Sequence, residues 1–505
     1  MKRAAVALLA VLLYLPAVRY GFVEDDRAII VANPAAHAVG AAVASAGKPY
    51  WPAPAEGGLY RPFTVLTYAV DWTIGSGAPG WFHLTNALLD GLVVWLVIAV
   101  LARWLPEPAA LAAGIIFAIH PVHVEGVASI VSRAELLAAA GITGAVLAAR
   151  RERWALAVVL SALAMLSKEH GVVAGVVVLL DDWLQSPKAR PGYPKPFYAS
   201  LAAVTLLFLA LWWQIGRAGA SDLAPPFIGA GVGARLGVAL AANLRAASLL
   251  VWPANLASDY NPQVIAVPPS ALAILGGALA VAAVIFAAWY CRRRAPVVTF
   301  GLVVGALAYL PTSNLIFPSG VVLAERNLYL AVLAVAALVG WAVARLSEPG
   351  RARVGITGVA VLAVAMGLRT ELRLPAWRDN RAQLLTLIAD HPESYRAHAG
   401  AAAVLAGIGD TAAARHEYAR ADSIFPRDPH LDADYAFFLI GGRDTSAAAP
   451  LVRRARAVLP RERVALRADF LLAMARGDRS RALALADTAG RWFPWEREWY
   501  LARIQ

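Results

Sequence analysis

Residues 1–26 read MKRAAVALLAVLLYLPAVRYGFVEDD. Positive charge at Lys2 and Arg3 precedes an apolar run from Ala4 to Pro16, and the acidic cluster Glu24-Asp25-Asp26 follows closely. Cations flanking an apolar segment stay on the cytoplasmic side. The segment therefore reads as a first membrane span with its amino terminus inside, and the acidic cluster stands just past the far side of the bilayer. Carboxylates beside hydrocarbon are costly and mark function more often than nothing, so Asp25 and Asp26 are the first candidates for chemistry. Met1 to Phe22 is expected to remain as an anchor, because no small-x-small cleavage site precedes Glu24.

The rest of the chain extends this pattern. Of 505 residues, 59% are hydrophobic, and a mean hydropathy of +0.58 is that of a polytopic membrane protein. A single cysteine, Cys291, excludes an intrachain disulfide. The net charge of +12 does not argue for nucleic acid, since much of the Lys and Arg falls in short loops between apolar runs.

Runs long enough to span fall near residues 4–21, 83–102, 108–120, 124–149, 154–167, 170–186, 197–216, 268–290, 296–315, 327–344 and 353–369. Lys2, Arg3, Arg103, Arg150, Arg151, Arg153, Lys188, Arg190, Lys195, Arg292 to Arg294, Arg345, Arg351 and Arg353 then share the cytoplasmic side. The run Ala234 to Trp252 carries Arg235, Asn243 and Arg245, and would put Arg292 to Arg294 outside if it spanned. It reads as an interfacial or re-entrant helix on the outer face. About eleven spans result, with everything after Arg369 outside. Asp181-Asp182 falls on the inner side and reads as a solvated helix end.

Beyond Trp377 no run is long enough to span, and Ala, Arg and Asp dominate. Pro426, Pro460 and Pro494 lie 34 residues apart, as do Ala421, Ala455 and Ala489; Ala414, Ala448 and Ala482; and Asp410, Asp444 and Asp478. A 34-residue period with small residues in the second helix and a closing Pro is the tetratricopeptide pattern. The expected fold is all-α: a polytopic membrane bundle at 1–372, a linker at 373–393 and a tetratricopeptide-repeat solenoid at 394–505. The repeats read either as a helical spacer or as a concave surface for a partner or acceptor protein.

With this threading, one face of the membrane gathers Glu24-Asp25-Asp26, Arg61, His83, Asn86, His120, His123, Glu125, Arg133, Glu135, Lys168, Glu169, His170, Asp259, Glu325 and Arg326. Polar groups beside spans mark substrate paths. The competing reading for Glu135, Lys168, Glu169 and Glu325 is a buried ion pair. His120 and His123, with Glu125 close by, have a spacing that zinc can use, but no Cys or third His lies near in sequence. Substrate positioning is the preferred reading, with no metal.

The ordered strings Glu24-Asp25-Asp26-Arg27-Ala28-Ile29, Tyr60-Arg61-Pro62-Phe63-Thr64, His83-Leu84-Thr85-Asn86, His120-Pro121-Val122-His123-Val124-Glu125, Ser132-Arg133-Ala134-Glu135-Leu136, Ser167-Lys168-Glu169 and Ala324-Glu325-Arg326-Asn327-Leu328-Tyr329-Leu330 resemble the transmembrane and tetratricopeptide-repeat O-mannosyltransferases. The resemblance runs from Phe22 through Trp377-Arg378-Asp379-Asn380 into the repeats. The chain has fewer repeats than the animal members and carries Asp90 where the family tends to carry His. It looks like a bacterial relative, and bacterial relatives need not use mannose. The resemblance implies a GT-C-like glycosyltransferase of the inner (cytoplasmic) membrane. Such an enzyme moves a sugar from a polyprenyl-phosphate donor to a hydroxyl of a protein or glycan, on the extracytoplasmic side. The implied reaction is inverting and metal-independent, with no cofactor, and an acidic residue of the first outer loop is its base.

The residue chemistry agrees. A phosphate leaving group is stable as an anion and needs cations more than a general acid. One carboxylate then suffices to take the acceptor proton. Asp25 and Asp26 compete for that role, and analogy with paired acidic motifs favours Asp25. Arg61, Arg133, Lys168 and Arg326 are the candidate phosphate clamps, because cations, and above all the Arg fork, match phosphate oxygens. His83, His120, His123, Glu125, Glu135, Glu169 and Glu325 are candidate positioning groups. Two other functions compete: an O-antigen ligase or polymerase, and a transporter or assembly scaffold. Ligases concentrate key residues in a large late outer loop, whereas here they come before Lys168. Transporters place charges at mid-bilayer and repeat their spans.

Overall fold

The computed structural model describes residues 1–52, 58–185, 192–216, 222–346, 352–493 and Trp499, and no strand occurs among the described residues. Lys188, Arg190, Arg351 and Pro494, together with the Arg353 side chain, lie outside the described residues. The first part of the chain forms α1 (Lys2–Tyr14), α2 (Val39–Ala44), α3 (Pro62–Gly75), α4 (Pro79–Leu101), α5 (Glu107–Ile119), α6 (His123–Ala128), α7 (Arg133–Arg150), α8 (Trp154–Ser167), α9 (Ala174–Trp183), α10 (Lys195–Ile215), α11 (Val232–Val251), α12 (Ala271–Cys291), α13 (Pro296–Tyr309), α14 (Val332–Leu346) and α15 (Ala352–Arg373). The remainder forms α16 (Asn380–Asp390), α17 (Tyr395–Gly407), α18 (Thr411–Ile424), α19 (Pro429–Gly441), α20 (Thr445–Val458), α21 (Arg463–Ala475) and α22 (Arg479–Trp492).

Among the described residues, five helices are long and apolar enough to cross a membrane: α4, α10, α11, α12 and Ile130–Arg150, which contains α7. α5, α8, α14 and Pro296–Thr312 are shorter apolar helices. This is a multi-pass membrane protein. Its layering follows from burial. In α7, 83% of the most apolar window is buried, against 6% in α12. α7 therefore faces protein on nearly all sides, and α12 turns its surface outward. Close approach to α7 requires a small residue: a Cβ on Gly141 would lie 2.8 Å from the Leu160 carbonyl of α8.

The bundle has two polar ends. At one, Lys2 pairs with Glu107 at 3.1 Å, and Arg150 and Arg103 reach Asp181 at 2.6 and 3.3 Å. Basic residues from the start of α1, the end of α7 and the turn after α4 thus face carboxylates at this end. Asp181 corrects an expectation, for it is fully buried instead of solvated. Two guanidiniums and the Tyr193 hydroxyl, at 3.0 Å, supply the donors that water would have given.

α11, expected as an interfacial or re-entrant helix, is one unbroken helix of 20 residues, and by length and composition alone it could also span. Its contacts run across the opposite end of the bundle. Arg235 donates to the Asn314 carbonyl at 2.6 Å, Asn243 to Ser313 at 3.0 Å, and the Leu250 carbonyl accepts from His120 at 3.1 Å.

The stretch expected as a linker holds α16. Beyond it the 34-residue spacing becomes helix pairs. Asp410, Asp444 and Asp478 cap α18, α20 and α22, each accepting from the amide three residues on. Ala414, Ala448, Ala421, Ala455 and Ala489 are wholly buried, so small side chains set the helix separation. The first pair touches the bundle, where the Tyr395 amide donates to the Pro262 carbonyl at 3.3 Å.

Candidate active site

The loop after α1 carries the acidic cluster. Asp26 is buried, and both its oxygens hold backbone: Oδ2 accepts from the Val23 amide at 2.9 Å and Oδ1 from Val131 at 3.0 Å. Burial pushes its carboxyl up to about 7, against the pull of those two amides. Asp25 is half-buried and accepts no hydrogen bond from the described residues. Its charge acts on Arg326. Glu24 is exposed and turns the chain at φ +46°, a conformation disfavoured for a side chain. The segment after α15 holds that turn: the Glu24 amide donates to Asn380 Oδ1 at 2.8 Å, and the Gly21 amide to the Arg378 carbonyl at 3.0 Å.

Three ion pairs surround this loop. Arg61 precedes α3, where Pro62 opens the helix, and it grips Glu169 through Nε at 3.1 Å and Nη2 at 2.8 Å. The Tyr60 amide also donates to Glu169, and the Tyr50 ring lies 4.9 Å under the Arg61 guanidinium. Lys168 pairs with Glu135, whose other oxygen lies 3.4 Å from His170, and donates to Asn327 Oδ1 at 3.0 Å. Gly171 closes the turn carrying Lys168 and Glu169; a Cβ there would lie 2.3 Å from the Ala164 backbone. Arg326 binds Glu125 through Nη1 at 2.5 Å and its own amide at 2.9 Å. About a quarter of the Arg326 side chain remains exposed (26%), so it can still take a ligand. Lys168 feels the charges of Arg61 and Arg326. Asp25, Arg61, Lys168 and Arg326 are thus linked through their charges, with no ion pair to Asp25 among the described residues.

Arg133 stands apart from it. Its guanidinium is wholly buried and bonded to Asn86 at 2.8 Å, Asp71 at 2.5 Å and the Phe82 carbonyl at 2.9 Å. It stacks over Tyr68 at 4.9 Å. No face is left for phosphate, so Arg133 ties α3, α4 and α7 together instead of serving as a clamp.

The histidines are anchored to backbone. His83 Nε2 lies 3.4 Å from the Gly21 carbonyl. His120 accepts the Val122 amide at Nδ1 and donates from Nε2 to Leu250. His123 Nε2 donates to the Tyr329 carbonyl at 2.9 Å. No cluster of three or more metal-ligating side chains occurs among the described residues. Glu325 is wholly buried; its Oε1 accepts from the Ala257 amide and the Tyr260 hydroxyl, both at 2.8 Å, and its Oε2 has no partner among the described residues. Burial pushes this carboxyl up to about 7, with Arg373 the largest opposing charge.

Sequence reading passed over Asn327, Asn380, Asp71, Tyr260 and Arg373. Asn327 and Asn380 stand inside strings already singled out, Glu325-Arg326-Asn327 and Arg378-Asp379-Asn380. That proximity was the available signal. Nothing local marks the others.

Comparison with known proteins now bears on this geometry. Protein O-mannosyl-transferase Tmtc1 of Drosophila melanogaster is 33% identical over 213 residues, 40% of this chain and 25% of its own length. Human protein O-mannosyl-transferase TMTC3 is 28% identical over 376 residues, 64% of this chain and 40% of its own. The chain is related to the TMTC protein O-mannosyl-transferases. Mouse TMTC4 extends the relation to 71% of this chain and 57% of its own length, at 28% identity. The chain spans a quarter to just over half of these TMTC relatives' lengths. No family model matches the chain, and no solved structure matches it.

Proposed function

We propose that this protein is an inverting, GT-C-like glycosyltransferase of a bacterial inner membrane, with about eleven spans. It moves mannose or another hexose from a polyprenyl-phosphate donor to a hydroxyl, first of all a protein Ser or Thr, on the extracytoplasmic face. The tetratricopeptide solenoid presents the acceptor. The relatives' names support the reaction class, and one observation carries the site: Asp25 is half-buried, accepts no hydrogen bond among the described residues, and acts by its charge on the partly exposed Arg326.

The acceptor oxygen attacks the anomeric carbon as the bond from that carbon to the phosphate oxygen breaks. Asp25 takes the hydroxyl proton. The polyprenyl phosphate departs with the electron pair, and Arg326, Arg61 and Lys168 offset its charge. Asp26 positions the loop through Val23 and Val131. Neither a metal nor a cofactor enters the reaction. Purified protein given a radiolabelled polyprenyl-phosphate sugar and a Ser/Thr acceptor peptide tests this. Labelled peptide is the expected product. Absence of both transfer and donor hydrolysis across a panel of such sugars would overturn it.

A further inference from the structure

A polar cavity, of about 330 Å³, opens where α15 meets α16 and is lined by Arg369, Arg373, Arg378, Leu372, Leu385 and Asp390, among others. That volume is in the range of small-ligand sites, about 300–1,000 Å³. Three guanidiniums line it against one carboxylate; of the three, Arg378 also reaches Asp379 at 3.0 Å and Arg373 acts on the buried Glu325. Arg373 is only 3% exposed, yet its Nε and one Nη have no partner among the described residues, the other Nη being spent on Asp390 at 2.9 Å. Arg369 donates to the Ala254 carbonyl at 2.6 Å, and its Nε is also without a partner among the described residues. Unpartnered buried guanidinium nitrogens are costly unless something accepts from them.

The cavity sits at the acidic-loop end of the bundle, since Thr370 bonds the carbonyl of Ile119 at the end of α5. Below it, Val361, Val364, Leu368 and Leu372 of α15 are 59–72% exposed. Their spacing puts them along one side of the helix. An apolar ridge leading into an arginine-lined cavity fits a molecule with hydrocarbon below and phosphate above. We propose that this cavity binds the phosphate of an anionic membrane lipid, whose acyl chains lie along α15. None of Asp25, Arg61, Lys168 and Arg326 lines this cavity, and its binding does not depend on the reaction proposed above.

Native mass spectrometry of the full chain in detergent, titrated with phosphatidic acid, phosphatidylcholine or inorganic phosphate, tests it. One phosphatidic acid per chain should bind in preference to phosphatidylcholine. Arg369→Gln and Arg378→Gln, which remove partly exposed groups, should each weaken binding about tenfold, the effect of one charge-assisted bond. Arg373→Gln should weaken it further. Leu368→Ser with Leu372→Ser should weaken the lipid and leave any phosphate binding unchanged. Undiminished lipid binding by the folded Arg369→Gln, Arg378→Gln double variant would overturn the proposal. So would inorganic phosphate competing as well as the lipid, which marks a free-anion site. Loss of the adduct in Arg326→Gln instead would place the lipid at the Asp25 cluster and equally overturn it.

Discussion

At one end of the bundle the buried Asp181 takes bonds from Arg150 Nε and Nη2, Arg103 Nη1 and the Tyr193 hydroxyl. At the other, among the described residues, Asp25 accepts none, Glu325 leaves an oxygen unpartnered, and Arg373 leaves two nitrogens. Both ends hold carboxylates and guanidiniums, the second many more than the first. They differ in satisfaction. A buried charge with every bond made holds a fold together, because removing any partner leaves its mate exposed to a low dielectric. A charge with bonds to spare has capacity for a ligand.

The largest effect should come from the least satisfied carboxylate. Asp25→Asn removes the proton acceptor and keeps the shape, so sugar transfer should fall by about a hundred- to ten-thousand-fold. Donor binding, measured in parallel, should persist. Near-normal transfer by Asp25→Asn would break the comparison at once, and transfer lost only in Asp26→Asn would exchange the two roles.

The satisfied end should fail differently. Asp181→Ala strands Arg150 and Arg103 and should cost about 3–5 kcal/mol of stability, read as a lower unfolding temperature. Transfer per folded molecule should be unchanged. A folded but inactive Asp181→Ala protein would mean that the two ends are not separate in function.

The cationic cluster lies between these extremes. Arg326→Ala should weaken binding of the polyprenyl-phosphate donor about ten- to a hundred-fold, the worth of one charge-assisted bond of about 1.5–3 kcal/mol. Arg326→Lys should recover only part of it. Arg61→Ala should behave alike, with an added loss of stability because Glu169 loses its partner. Donor affinity unchanged in both alanine variants would make these pairs as structural as Asp181.

The smallest effect concerns Asp26. Its carboxyl is raised from the model-peptide value of 3.8 to about 7 in the fold. The folded state therefore holds the proton more tightly than the unfolded chain does. The resulting stability is fully present below the unfolded value and is lost as pH rises through about 7. Asp26→Asn cannot titrate, so wild type should lose about 1 kcal/mol relative to it over the two pH units around neutrality. Parallel thermal unfolding curves at a series of pH values would show instead that Asp26 stays ionised on its two amides.

Much of this architecture was legible along the chain. Apolar runs announced helices, and the 34-residue columns announced caps at Asp410, Asp444 and Asp478 together with buried alanines. Which charges would be spent was not legible. Arg133 looked as suited to phosphate as Arg326, but its acceptors Asp71 and Asn86 come from other helices. Asp181 looked like a solvated end until Arg103 and Arg150 closed over it. The linker hid α16, and with it the residue that holds the acidic turn.

The sequence by itself determined where the helices run, which end gathers the acidic loop and which residue types stand there, because hydropathy and period are properties of neighbouring residues. Only the tertiary structure decided which of those charges are paired. Arg61 meets Glu169 across 108 residues, Arg326 meets Glu125 across 201, and Asn380 holds Glu24 across 356. Pairing of this kind is set by helix packing and burial, which no local pattern records.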